Sequence, residues 1–339
     1  MARQLAERFP VQGYYSSLSE LLSACRPEVV HITTPPASHF SIAKFCLEFG
    51  CHVYVEKPFT LYEADANVLI DLALSRGLKI TAGHDDQFSH VARRMRALVQ
   101  EGYLGGAPVH MESYYCYEMG ESAYAGALLS DKSHWVRQLP GKLLQNIISH
   151  GIARIAEFLT NESPEVIAYG FTSPFLRSLG ETEICDELRV IIHDPGAATA
   201  YFTFSSQMRP GLHGFRIFGP GNGLFLDQDQ ETLIQLRGAR YKSYAARFVP
   251  PLVFAQQYLR NLTVNLHTFL RNDFHMKSGM KFLIESFYRS IIDGSREPIP
   301  YREIRLTARI MDKIFEQMEE RRFLVSNESR LTANLEINK

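Results

Sequence analysis

Lys57 stands between Glu56 and Pro58, at the end of the apolar run Val53-Tyr54-Val55. A lysine at a strand end, its backbone restrained by the following proline, is placed to give or take a proton. Upstream, Thr34-Pro35-Pro36 closes a second apolar run that starts at Val29, and His39 follows it. Further along, Asn146 and His150 stand four residues apart, so a helix there sets both on one face. An imidazole can move a proton near neutral pH. The amide of Asn146 can hold a hydroxyl but cannot take a proton as a carboxylate does. The histidines and the five cysteines show no metal-ligand spacing, and no metal centre is expected.

These residues need elements to hold them. Val29 to Thr33 has the pattern of a buried strand, Ser38 to Gly50 of a helix, Val53 to Val55 of a strand, and Leu61 to Ser75 of a helix. Leu78 to Ala82 follows as a short strand. Parallel strands joined by helical crossovers make an open α/β sheet, and ligands bind beyond its carboxyl ends. Thr34 and Lys57 both stand at such ends. Before them come a helix over Ala2 to Phe9, a strand-like Tyr14-Tyr15-Ser16 and a helix over Ser19 to Ala24, capped from the serines before it. Ser89 to Glu101 is an amphipathic helix, ended by glycines.

From Val109 the rhythm changes. Strands are expected at Val109 to Tyr117, Val166 to Phe171, Glu187 to His193, Ala197 to Phe204, Gly214 to Phe218, Leu224 to Asp227 and Thr232 to Leu236. Short turns join the later ones, as in an antiparallel meander. Gly219-Pro220-Gly221-Asn222-Gly223 is one such turn, not a phosphate loop, since no helix follows it. One helix, Gly141 to Leu159, interrupts. Three more close the chain: Pro251 to Leu270, Met276 to Asp293 and Tyr301 to Arg321. The first contains Arg260 and four amides and is expected to be packed. The fold class is thus α/β plus α+β. A partial Rossmann-type parallel-sheet domain (1–105) precedes an α+β domain with a large, mainly antiparallel open sheet (106–325), and a polar, frayed tail (326–339) follows.

The 339 residues are 45% hydrophobic with a formal net charge of −1. No basic field is present to draw nucleic acid or an anionic membrane. No apolar run reaches the ~20 residues needed to span a bilayer. The opening Met1-Ala2-Arg3-Gln4 starts a charged helix instead of an apolar signal, and the cysteines are odd in number and scattered. A cytoplasmic protein with reduced thiols is expected.

Thr34-Pro35-Pro36 with His39, followed by Glu56-Lys57-Pro58, resembles the glucose-fructose oxidoreductase / inositol dehydrogenase (Gfo/Idh/MocA) family. The resemblance runs from about Ala2 to about Met318. It implies an NAD- or NADP-dependent oxidoreductase acting on a sugar, cyclitol or sugar derivative. Lys57 would donate a hydrogen bond or a proton to a substrate hydroxyl while hydride leaves the same carbon. A neighbouring cationic nicotinamide would lower its pKa. Glu56 would orient Lys57 or touch the cofactor ribose, with Thr34, Pro35 and His39 in the same cofactor-binding set. The family places an aspartate and a histidine where this chain has Asn146 and His150, and often an acid where it has Ala153. Trp135 and Arg137, with His134, lie in the loop where the family binds substrate. Asp86 and Gln87 replace the asparagine or arginine usual before Phe88. Tyr114, Tyr115 and Tyr117 are expected to pack on a sheet face. A homodimer, or a tetramer of dimers, through the C-terminal sheet is also implied.

By comparison with the family, the chain starts after the strand, the glycine-rich turn, the helix and the strand that open a dinucleotide fold, about 40 residues at usual element lengths. Weak NAD(P) binding and an exposed edge on the strand at Val29 are expected from that. Two function classes remain: an oxidoreductase with Lys57 and His150 as acid and base, or a cofactor-free dimerising or sugar-binding protein. A third possibility is that Met1 is an internal methionine of a longer enzyme.

Overall fold

The computed structural model describes residues 2–9, 11, 13–118, 123–238, 241–242, 244–275 and 277–337, with 123–125 and 322–337 described by their backbone alone. Helices α1 (Ala2–Arg8) and α2 (Leu18–Cys25) lead into β1 (Val29–Ile32), α3 (His39–Phe49), β2 (His52–Val55), α4 (Glu63–Ser75), β3 (Ile80–Ala82) and α5 (His90–Gln100). Ser17 and Ser89 cap α2 and α5 by accepting from the backbone N–H three residues on. The three strands are parallel, in the order β1-β2-β3, with β1 at an edge. Val53, Val55, Ile80 and Ala82 are fully buried between the helices.

The second half begins with β4 (His110–Glu118), α6 (Ala123–Ser130), α7 (Lys142–Ile147), α8 (Ser149–Ala156), β5 (Glu165–Phe171), α9 (Pro174–Ser178), β6 (Glu187–Asp194) and β7 (Ala198–Ser205). It continues through β8 (Gln207–Phe218), β9 (Asn222–Asp227), β10 (Thr232–Arg237), α10 (Ala245–Leu270), α11 (Ser278–Asp293) and α12 (Tyr301–Ile337). Seven strands form one sheet, β10-β9-β8-β4-β7-β6-β5, antiparallel except for the β4–β7 pair. One face is covered by α8 and α12, which bury Leu188, Val190, Ile192, Phe202 and Phe204. α8 packs very closely: a Cβ on Gly151 would lie 2.3 Å from the Phe202 ring. The other face is open, so β6 and β7 alternate buried with more exposed residues instead of being covered on both sides.

Packing does not follow chain order. α11 and the start of α12 return to the small sheet, where Leu283, Phe287, Ile299 and Ile304 join its core. His31 of β1 stacks on Tyr54, ring centroids 4.8 Å apart, and its Nε2 lies 3.1 Å from the Tyr288 hydroxyl of α11. No described helix is long and apolar enough to cross a membrane.

Several expectations are corrected. Tyr14-Tyr15-Ser16 is not a strand: among the described residues none pairs with it in a ladder. The run from Gly141 to Leu159 is two helices, parted at Ile148 and ending at Ala156. The tail is helical as far as Ile337, with no Gly or Pro after Tyr301 to stop it. Met276, the expected start of α11, lies outside the described residues. α10 begins earlier than expected, at Ala245, and Asn261 is its one buried residue. Its amides explain why. Asn261 accepts from Leu233 N (3.2 Å) and donates to Leu233 O (3.0 Å), and Gln257 does the same at Gln235 (2.7 and 3.1 Å). These amides complete the open edge of β10, so the polar side of α10 faces inward and its leucines face out.

Candidate active site

A cavity of about 940 Å³ lies between the two sheets. Lys57 enters it from the end of β2, Asp85 and Asp86 from the turn after β3, His150 from α8, and Tyr115 and Tyr117 from β4. Lys277, just before α11, stands at its wall. The ends of β2 and β3 meet closely at Gly83, where a Cβ would lie 3.1 Å from both Cα and Oε2 of Glu56.

Lys57 Nζ donates to the Asn146 carbonyl oxygen at 3.0 Å, which ties the first sheet to α7. An ammonium has three donors, so it can also serve a bound oxygen. Burial lowers its pKa from the ordinary value, against the opposing charges of Glu56, Asp85 and Asp86. The His150 Nδ1 lies 3.7 Å from Asp86 Oδ2 and 4.0 Å from Asp85 Oδ1, and makes no hydrogen bond. Burial takes His150 down to about 4, although the charge of Asp86 pulls the other way. At neutral pH the ring is a neutral acceptor beside an anion.

Asp86 is the hub. It accepts from the Tyr115 hydroxyl and from Gln228 Nε2, each at 2.9 Å, and Arg154 Nη2 stands 3.5 Å away. Burial works to raise its pKa, but His150, Arg154 and the two hydrogen bonds outweigh it and hold the carboxyl well below the usual range. Asp85 goes the other way. Burial and the charge of Asp86 push it up to about 6. Ligand atoms of Asp85, Asp86 and His150 lie within 4.8 Å of one another, but Arg154 and Lys57 already supply positive charge there. His84 lies behind, edge-on to His150 with centroids 6.0 Å apart, and burial takes it down to about 3.

Sequence reasoning singled out Lys57 and His150, and the structure brings them to one cavity. Asp86, which replaces a residue usual in the family, and Tyr115 and Tyr117, expected to pack on a sheet face, line the same cavity. The signal for Asp86 was present in Gly83-His84-Asp85-Asp86, at the carboxyl end of a parallel strand. The tyrosines line the cavity because the face of β4 that carries them meets α8 at His150. Asn146 falls on α7 and His150 on α8, either side of Ile148, and the Asn146 carbonyl receives Lys57. His39 is fully buried, with its ring nitrogens 2.9 Å from Pro58 O and 2.7 Å from Thr34 O, so it locks the two strand-end loops together. The Thr34 hydroxyl meets Ser38 at 2.7 Å, Pro35 precedes a short 3₁₀ turn, and Glu56 accepts from Lys57 N at 3.2 Å. Trp135 and Arg137 do not line the cavity. Arg137 pairs with Glu181 at 2.6 Å and donates to Leu128 O, and Trp135 stacks on His134.

Residues 1–84 match the Gfo/Idh/MocA family, described as "Oxidoreductase family, NAD-binding Rossmann fold". Over these residues the chain is similar to that family. UDP-N-acetylglucosamine 3-dehydrogenase of Acidithiobacillus ferrooxidans is 36% identical over 86 residues, 25% of this chain and 26% of that protein. The matched stretch spans about a quarter to a third of the curated relatives it aligns with. The solved structure of the same Acidithiobacillus enzyme superposes with a TM-score of 0.67 at 19% identity, over 93% of this chain and 86% of that one. A dehydrogenase from Bordetella pertussis, solved with NADH and UDP-GlcNAcA, gives a TM-score of 0.71 at 13% identity, over 94% and 85%. At such identities these superpositions show the fold. The parallel sheet and the large, mostly antiparallel sheet are the two-domain fold shared with these structures.

The residues present fit the reactive end of a nicotinamide cofactor. Lys57 and the unpaired His150 Nδ1 face a cavity at the carboxyl ends of β2 and β3.

Proposed function

We propose that this chain is an NAD- or NADP-dependent oxidoreductase acting at a carbinol or carbonyl carbon of a sugar, cyclitol or sugar derivative. The observation that carries the reading is the convergence of Lys57, His150 and Asp86 on one cavity. A bound nicotinamide would supply or accept the hydride. Lys57, its ammonium destabilised by burial, would as the amine take the substrate hydroxyl proton while hydride leaves the carbon and hand it on to His150, with the reverse order in reduction. The resulting imidazolium would be stabilised by Asp86, 3.7 Å from His150. Tyr115, Gln228 and Arg154 keep Asp86 ionised and aimed. Family relatives support the substrate class: one is named for UDP-N-acetylglucosamine and another for D-glucosides.

The second reading, a cofactor-free sugar-binding protein, leaned on Asn146 and Ala153 standing where the family has acids. Asp86 brings a carboxylate to His150 from the first domain, which favours the catalytic reading. A homodimer, or a tetramer built from dimers, through the open face of the large sheet belongs to the same proposal. Exposed Ile167, Ile191 and Tyr201 lie side by side there across β5, β6 and β7. A cytoplasmic location is proposed with it; no disulfide joins the five cysteines.

The test is absorbance at 340 nm, with NAD⁺ and NADP⁺ each offered against UDP-N-acetylhexosamines, glucosides and inositols. Turnover that falls by roughly 10²–10⁴-fold in Lys57→Ala, the scale of a lost general acid or base, supports the proposal. Absence of turnover across the panel, together with calorimetric binding of a sugar but no nucleotide, would establish the second reading instead.

A further inference from the structure

The outer face of α10 carries apolar residues at Leu252, Ala255, Leu259, Leu262, Leu266 and Phe269. Their spacing alternates three and four, the heptad seam of helices that pair with one another. All six are exposed, Leu259 to 64% and Phe269 to 63%. This is not the spillover of a core helix. The inward side is set by Gln257 and Asn261, whose amides are engaged by β10, so the seam points away from the protein along its whole length.

We infer that this seam is an interface for α10 of a second copy of the chain. Three features select that occupant. With flanking Tyr258 and Leu270, the seam exposes on the order of 800 Å², which matches the ~800 Å² per partner of a standard interface. The positions beside the seam, Gln256, Tyr258, Thr263, Asn265 and Leu270, carry no charge, so two copies meet without like-charge repulsion. An antiparallel partner, related by a twofold axis beside residues 260–261, sets Leu259 on Leu262, Leu252 on Phe269 and the small Ala255 on the large Leu266. Such a contact is isologous and closes on itself. A membrane surface fits less well, since interfacial helices carry rows of Lys and Arg on the polar side, and here that side faces β10. The seam lies at the β10 end of the sheet, away from the open-face patch on β5, β6 and β7.

The experiment is light scattering on the full chain and on a Leu259→Glu/Leu266→Glu variant, with circular dichroism to check the fold. The variant should have half the assembly mass of the unmutated protein, whether that is tetramer to dimer or dimer to monomer. Unchanged mass in a folded variant overturns the inference. So does a monomeric unmutated chain, including one that co-sediments with phosphatidylcholine vesicles. If the variant does not fold, a mixture of Leu259→Cys and Leu262→Cys chains decides, each in a Cys25→Ser background. Oxidation should give a crosslinked dimer from the mixture and none from Cys25→Ser alone; no crosslink overturns the seam.

Discussion

Replacing Asp85 with asparagine should make the protein more stable at neutral pH. The Asp85 side chain is only 14% exposed, and burial together with Asp86 raises its pKa from the ordinary 3.8 to about 6. A raised carboxyl binds its proton more tightly folded than unfolded. Stability therefore falls as pH rises from about 4 to about 6 and stays reduced above that. The difference between 3.8 and about 6 corresponds to roughly 3 kcal/mol at pH 7.5. An amide at this position would keep the shape and carry no charge, so Asp85→Asn should raise the unfolding free energy by about 2–3 kcal/mol at pH 7.5 and by almost nothing at pH 4. Urea titrations at both values, followed by fluorescence, give the comparison through the midpoint and slope. A midpoint at pH 7.5 equal to or below that of the unmutated protein would show that Asp85 carries no desolvation cost, and the description of this wall of the cavity would be wrong. Retention of so costly a carboxylate is what a binding or catalytic site requires.

Two further outcomes follow from the same geometry. Asp86→Asn removes the anion that pulls the pKa of His150 upward, so the acid limb of the kcat/KM profile should move to lower pH while its plateau drops at least about tenfold; an upward move would exclude Asp86 as the partner of His150. Asn261→Ala leaves Leu233 N and O without partners at the sheet edge and should cost about 2–4 kcal/mol, read from the urea midpoint, whereas a loss under about 0.5 kcal/mol would mean that water replaces the amide.

Much of the frame was legible in the sequence because its causes are local. Buried parallel strands show as apolar runs such as Val53-Tyr54-Val55, half-covered strands as alternation such as Leu188 to Ile192, and helix starts as caps such as Ser17 and Ser89. The placement of Lys57 followed too, since a residue after a parallel strand must stand at its carboxyl end. Tertiary structure alone decided which side chains meet Lys57. Asp86 and His150 belong to different sheets' surroundings, and their 3.7 Å approach depends on how α8 docks against the turn after β3. No spacing in the chain encodes that docking angle. The loop of Arg137 is plain in the sequence, but only the fold sets its guanidinium on Glu181. α10 makes the same point at the surface. Its leucines and amides are plain in the sequence, but only the open edge of β10, with its unpaired N–H and C=O groups, determined that the amides turn inward and the leucines outward.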